Sequence, residues 1–259
     1  MPRLIFDIET VGVEFDSLDD KSQELLLRFA ETPEDIEAVK DGLGFSPLTG
    51  QVVAIGVLNP ETSKGAVYFL DLEGKVEKQV PILSASQKQN RGSSISQLNQ
   101  NDLGEIGKKD GVQYIPYKTE KDLLKSFWDA SAHYDQFITF NGRSFDAPYL
   151  MIRSAINKIK PAKNLMTYRY ESDQFGKVIT HLDLLDRLTF FGAVRRKGGL
   201  HMWCQAFGIK SPKSEEISGE DVARLFKDKE YMKIAEYCFD DVLATEKLYE
   251  YWEKYINIR

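Results

Sequence analysis

The chain has 259 residues, a formal net charge of −6, and 42% hydrophobic, 12% aromatic and 29% charged residues. That balance supports a packed core and excludes a disordered chain, a collagen-like repeat and a disulfide scaffold. Cys204 and Cys238 are its two cysteines; both fall in apolar helical patterns, so no disulfide framework or zinc cluster is available. The acidic balance does not by itself point to nucleic acid, so a polyanion would have to be held by local basic patches or by metal ions.

In chain order, Arg3–Glu9 is an apolar run interrupted by carboxylates and predicts a buried strand. Residues 17–43 predict helix, with Leu25, Leu26 and Phe29 on one face and Thr32-Pro33 as a start, Thr at the N-cap and Pro at N1. Val52–Leu58 and Ala66–Leu70 predict strands separated by the Asn59-Pro60 turn. Residues 84–102, dominated by Ser, Gln and Asn, predict a surface insertion within one domain. Thr119-Glu-Lys-Asp122 resembles a capping box and opens a helix whose inner face is Leu123, Leu124, Phe127 and Trp128. Gln136–Phe140 predicts a strand ending in the Asn141-Gly142 turn, followed by a helix carrying Tyr149, Leu150 and Ile152. Val178–Leu182 predicts a fifth strand. Leu200, Trp203, Cys204 and Phe207 space as a helix ended by Gly208. A long helix from about Lys229 to Tyr255 buries Tyr231, Ile234, Ala235, Cys238, Val242, Leu248, Tyr249 and Trp252. The alternation argues for an α/β fold with a mixed five-stranded sheet covered by helices. No leader pattern and no apolar run of membrane-spanning length is visible, which predicts a cytoplasmic protein with no membrane partner.

The informative residues are acids in apolar places. Asp7 and Glu9 sit two apart on a strand, hence on one face, where like charges repel and desolvation is costly. Either the strand ends there and both acids reach solvent or a basic partner, or a divalent cation bridges them. Asp146 follows the turn Asn141–Phe145; if its strand runs parallel to the first, Asp146 arrives near Asp7, and otherwise Ser144 or Asp146 merely caps a helix. Tyr237 and Asp241 are one helical turn apart at the edge of the core, where the plain reading is a hydroxyl bonded to a carboxylate. Taken together, three elements offer four acids. Such a cluster needs cations, and two Mg²⁺ or Mn²⁺ ions suit all-oxygen ligands and in-line attack at phosphorus.

These segments resemble a known family. Phe6-Asp7-Ile8-Glu9-Thr10, Asn141–Leu150 and Tyr237-Cys238-Phe239-Asp240-Asp241-Val242 are similar to the three ordered motifs of the DEDD 3′–5′ exonucleases, above all the proofreading domain of family B DNA polymerases. His181–Asp186, the Gly208 turn and Ser218–Val222 resemble segments of small stand-alone predicted exonucleases related to that domain. The resemblance spans nearly the whole chain, read as one domain over residues 1–259, and leaves insertions near 14–43 and 75–118. It implies a ribonuclease H-like fold. It also implies a metal-dependent 3′–5′ exonuclease that releases nucleoside monophosphates from single-stranded 3′ ends, DNA ahead of RNA, in proofreading or repair. Asp7, Glu9, Asp146 and Asp241 would be the metal ligands, with Asp7, Glu9 and Asp241 on one cation and Asp7 and Asp146 on the other. Thr10, Asn141 and Phe145 would touch substrate. Position 236 is Glu and position 237 is Tyr, which is similar to the Tyr branch, where Tyr237 orients the attacking water. The alternatives are an RNA exonuclease and a catalytically silent binding module of the same fold.

Weaker features stay open. Arg195-Arg196-Lys197-Gly198-Gly199 either grips a phosphate backbone, with Lys210 and Lys213 continuing the charge, or is a solvated loop. Phe145, Tyr149 and Phe190 could stack on bases, but Tyr149 and Phe190 are read as core. Asp183 is read as a helix cap and Asp240 as structural.

Overall fold

A computed structural model describes residues 1–76, 111–167, 169, 181–209, 219 and 221–258. The strands are β1 (Arg3–Gly12), β2 (Gly50–Asn59), β3 (Lys64–Leu70), β4 (Val112–Tyr117), β5 (Gln136–Thr139) and β6 (His181–Asp183). The helices are α1 (Asp20–Leu27), α2 (Pro33–Asp41), α3 (Glu120–Ser131), α4 (Asp146–Ile156), α5 (Leu184–Leu188), α6 (Leu200–Ala206), α7 (Asp221–Lys227) and α8 (Tyr231–Tyr255). The sheet order is β4-β3-β2-β1-β5-β6. The pairs β1–β2 and β2–β3 are antiparallel, whereas β3–β4, β1–β5 and β5–β6 are parallel. This mixed sheet flanked by helices is consistent with a ribonuclease H-like exonuclease fold.

Among the described residues the sheet has six strands, where the sequence predicts five. The additional strand, β4, lies inside the stretch read as an insertion, and Pro116 and Gln113 mask its pattern. It is tolerated because β4 is an edge strand, where a proline costs no ladder bond on the open side. The 84–102 segment, residues 178–180, Lys210, Lys213, Ser218 and Glu220 lie outside the described residues.

Residues 17–43 form two helices. Asp19 caps the first, and Thr32 caps the second in a reciprocal capping box with Asp35. Neither helix buries a residue; Leu25 and Phe29 are 65% and 78% exposed, so the apolar face expected there does not pack.

β1 runs through the middle of the sheet and divides two layers. On one face, Phe6 packs against Phe127 of α3 and Phe137 of β5, with ring centroids 5.5 and 6.2 Å apart. On the other face, α8 crosses β1, β2 and β3. Every α8 residue expected in the core is buried there. Gly56, paired with Asp7 in the β1–β2 register, permits this close crossing: a Cβ on it would stand 2.9 Å from Val242 Cγ2 and 3.2 Å from Cys238 Sγ. Among the described residues, no helix is long and apolar enough to cross a membrane.

Candidate functional site

The site forms beside the middle of β1, at the end of the neighbouring parallel strand β5. The register pairs Leu4 with Phe137 and Ile5 with Ile138, so β5 ends just where β1 reaches Asp7. The chain then turns. Asn141 adopts a left-handed φ of +64°, tolerated by Asn, and Gly142 fits because a Cβ would lie 2.3 Å from Thr139 Oγ1. The turn is fastened from β6: Asp183 accepts hydrogen bonds from the amides of Asn141 (2.9 Å) and Arg143 (3.0 Å), and caps α5 through the Leu185 amide (2.9 Å). Asp183 is therefore a cap, as its sequence position suggests.

The turn delivers Asp146, 4% exposed, to β1, where its Oδ1 accepts a hydrogen bond from the Ile8 amide at 3.1 Å. Asp7, Asn141, Phe145, Asp146 and Asp241 line one cleft of about 200 Å³, together with Ile8, Phe140 and Leu200. Glu9 and Tyr237 are absent from that lining but sit against it. A carboxylate oxygen of Glu9, one of Asp7 and the Cys238 thiol lie within 4.8 Å of one another. The buried Tyr237 has Asp241, Glu9 and Asp7 as its charged neighbours and donates its hydroxyl to Asp241. Thr10 is turned elsewhere, donating to the Gly44 carbonyl at 2.8 Å.

The electrostatics follow from crowding acids in a poorly hydrated place. Burial, then repulsion from Asp146, Asp241 and Glu9, pushes the Asp7 carboxyl well above the ordinary range. Burial raises the Asp146 carboxyl to about 7, against the pull of its own amide and the Ile8 amide, with Asp183 and Asp241 adding repulsion. Tyr237 is raised first by burial and then by Asp241, Glu9 and Asp7, so the phenol keeps its proton. Cys238, whose Sγ lies 3.6 Å from the Asp7 carbonyl oxygen, is likewise pushed up by burial.

This donor set suits hard divalent cations. Four carboxylates supply only oxygen ligands, and a cation removes the repulsion that raises Asp7 and Asp146. None of the histidines is among the residues that line the cleft. His181, the one on β6, is locked between Leu165 O (2.9 Å) and Thr139 Oγ1 (2.8 Å), and burial lowers it to about 4.

The sequence missed three contributors: the Ile8 amide, which seats Asp146; Leu200, which closes the cleft; and Gly56, which lets α8 approach. Gly56 alone left a visible trace, as a lone glycine in the apolar run Val52–Leu58. Tyr149 is core, 1% exposed, as expected, but Phe190 is 61% exposed rather than buried. Local spacing does not reveal that its turn leaves the sheet.

A family model described as a predicted 3′–5′ exonuclease related to the exonuclease domain of PolB matches residues 76–256. That span holds Asp146, Tyr237 and Asp241; β1, with Asp7 and Glu9, precedes it. The chain is 38% identical over 76 residues to DNA polymerase 1 of Sulfolobus acidocaldarius, covering 29% of this chain and 9% of the polymerase. It is 37% identical over 76 residues to DNA polymerase 1 of Saccharolobus solfataricus, with the same coverage. To DNA polymerase 1 of Sulfurisphaera ohwakuensis it is 32% identical over 91 residues, covering 33% of this chain and 10% of that protein. The chain thus spans about a tenth of the length of the curated relatives it matches.

Proposed function

This chain belongs to the family of predicted 3′–5′ exonucleases related to the exonuclease domain of PolB, and from that premise we propose that it is a divalent-metal-dependent 3′–5′ exonuclease acting on single-stranded DNA ends. The observation that carries the reading is the convergence of Asp7, Asp146 and Asp241, from β1, α4 and α8, on one cleft. That the curated relatives are DNA polymerases favours DNA over RNA.

Asp7, Glu9 and Asp241 would hold one Mg²⁺ or Mn²⁺, and Asp7 and Asp146 the other. Bound there, the pair would acidify water and neutralise charge developing on the phosphate. The protein's own residues supply position. Ile8 holds Asp146 by its amide, so one ligand is fixed before metal arrives. Tyr237 stays protonated, and once a cation engages Asp241 its single hydroxyl proton would be released from that carboxylate to donate to the attacking water, the role that the resemblance to the Tyr branch implies. The water oxygen attacks phosphorus, the 3′ oxygen of the preceding nucleotide leaves and takes a proton, and a nucleoside 5′-monophosphate is released. Asn141 and Phe145 line the cleft where the terminal nucleotide would sit. Thr10 would act there only through the loop it anchors at Gly44. Proofreading or repair is the setting that suits such an activity, with the chain working as one exonuclease unit.

The test is digestion of 5′-labelled single-stranded DNA, single-stranded RNA and blunt duplex with Mn²⁺, Mg²⁺ or chelator. The expected result is stepwise shortening of DNA from the 3′ end, loss of activity in chelator and in Asp7→Ala, and slow attack on blunt duplex. Equal cutting of a circular substrate, or metal-independent cutting, would overturn it.

A further inference from the structure

Just beyond α5 the backbone does something costly. Phe190 and Phe191 both adopt left-handed φ values, +49° and +55°, ahead of Gly192 at +98°. Bulky residues avoid this region, and two in succession persist only where the surroundings enforce them. Here the turn is enforced: the Phe191 amide donates to Asp186 O (2.7 Å), and the amides of Gly192 and Val194 donate to Thr189 O (3.1 and 3.0 Å). Phe191 gains a partner from the arrangement, with the Arg187 guanidinium 4.9 Å from its ring centroid. Phe190 stays largely outside the core: the residue is 61% exposed. A rigid turn thus displays an aromatic face to water.

The chain continues through Arg195, Arg196 and Lys197, all exposed, in a protein whose net charge is −6. The Trp203 indole donates to the Lys197 carbonyl at 2.6 Å and pins the end of this basic run. Three residues later, Leu200 lines the carboxylate cleft. Aromatic face, three cations and cleft wall therefore follow one another along one short segment. Stacking platforms beside basic side chains hold single strands without reading their sequence.

We propose that residues 190–197 form a track for the single strand as it runs into the cleft, with Phe190 stacking on a base and Arg195, Arg196 and Lys197 contacting phosphates away from the scissile bond. This rests on the exonuclease reading and deepens it. The track discriminates strandedness, because a duplex keeps its bases stacked on one another and offers Phe190 none.

The experiment measures binding of a fluorescent oligothymidylate, with a phosphorothioate 3′-terminal linkage, by anisotropy in Mn²⁺ across a salt series. The R195A/R196A/K197A protein should lower the slope of log affinity against log salt by about two, at roughly 0.7 per single-strand phosphate contact. Phe190→Ala should weaken binding about 10-fold with the slope unchanged, within the range of a lost base stack. Phe190→Gly should weaken it equally without lowering the thermal midpoint, since glycine adopts the left-handed turn freely; a purely structural ring would instead lower the midpoint and leave affinity intact. Affinity and slope at wild-type values in all three variants would overturn the track. If wild-type protein then still hydrolyses single-stranded DNA and Asp7→Ala does not, the exonuclease reading stands without it. Failure of wild-type protein both to bind and to hydrolyse overturns both.

Discussion

Asp146 and Ile8 are joined by one hydrogen bond, 3.1 Å from the Ile8 amide to Asp146 Oδ1, and that bond ties the first turn of α4 to the middle of β1. It makes Asp146 both a candidate ligand and a structural acceptor, and the two roles separate by substitution. Asp146→Asn keeps an acceptor for the amide and loses the charge; Asp146→Ala loses both. Each should abolish Mn²⁺-dependent hydrolysis. Only Asp146→Ala should lower stability, by about 1–3 kcal/mol, because it leaves a buried amide unsatisfied. Denaturant unfolding of the two variants in chelator checks this, and equal stability would show that the bond carries no weight.

A pH dependence follows from the raised carboxyl. Asp146 titrates at about 7 in the folded chain against an ordinary 3.8, so between these values the folded chain binds more protons than the unfolded one. Its contribution is fully present below the ordinary value and is lost as pH rises through about 7. In chelator, the stability of wild type relative to Asp146→Asn should therefore fall from about pH 4 to about pH 7 and level off above that, and Mn²⁺ at the upper end should restore it. A difference that grows with pH in chelator would contradict the burial argument.

Removing Asp7 tests the repulsion directly. Its carboxyl is raised by burial and then by three acidic neighbours, so Asp7→Ala should end turnover while leaving the metal-free thermal midpoint unchanged or higher. A drop in the chelator midpoint comparable to a core truncation would mean that Asp7 supports the fold.

Tyr237 distinguishes positioning from packing. Tyr237→Phe removes the hydroxyl that faces Asp241 and retains the ring. Loss of a hydrogen bond to the attacking water should lower kcat by roughly 10- to 1000-fold, with Mn²⁺ affinity barely moved. A hydroxyl that only secures the helix predicts instead a loss of about 1 kcal/mol with near-normal turnover. Single-turnover rate and thermal midpoint on the same protein decide between them.

Gly56 tests how the site depends on the approach of α8. Gly56→Ala drives a methyl into Val242 and Cys238, which should cost roughly 1–3 kcal/mol as overpacking. It should also weaken Mn²⁺ binding as Asp241 moves off β1. Gly42→Ala, where a Cβ meets nothing within 4 Å, is the neutral comparison. Equal Mn²⁺ affinity in both would show that α8 yields without moving its acid.

Much of the site is legible in the chain because it is written in local spacing. Period two puts Asp7 and Glu9 on one face of β1, and one helical turn puts Tyr237 beside Asp241 on α8; both hold whatever surrounds them. The buried stripe of α8 and the cap at Asp183 are legible for the same reason. What the spacing of one element does not carry is what stands opposite it. The β1–β5 register that brings Asp146 to the Ile8 amide, the place of β4 at the sheet edge, the unpacked faces of Leu25 and Phe29, and the exposure of Phe190 all depend on where distant segments close against one another. Periodicity reports that a side chain shares a face with its neighbours; only tertiary contact supplies the surface that covers that face or leaves it to water.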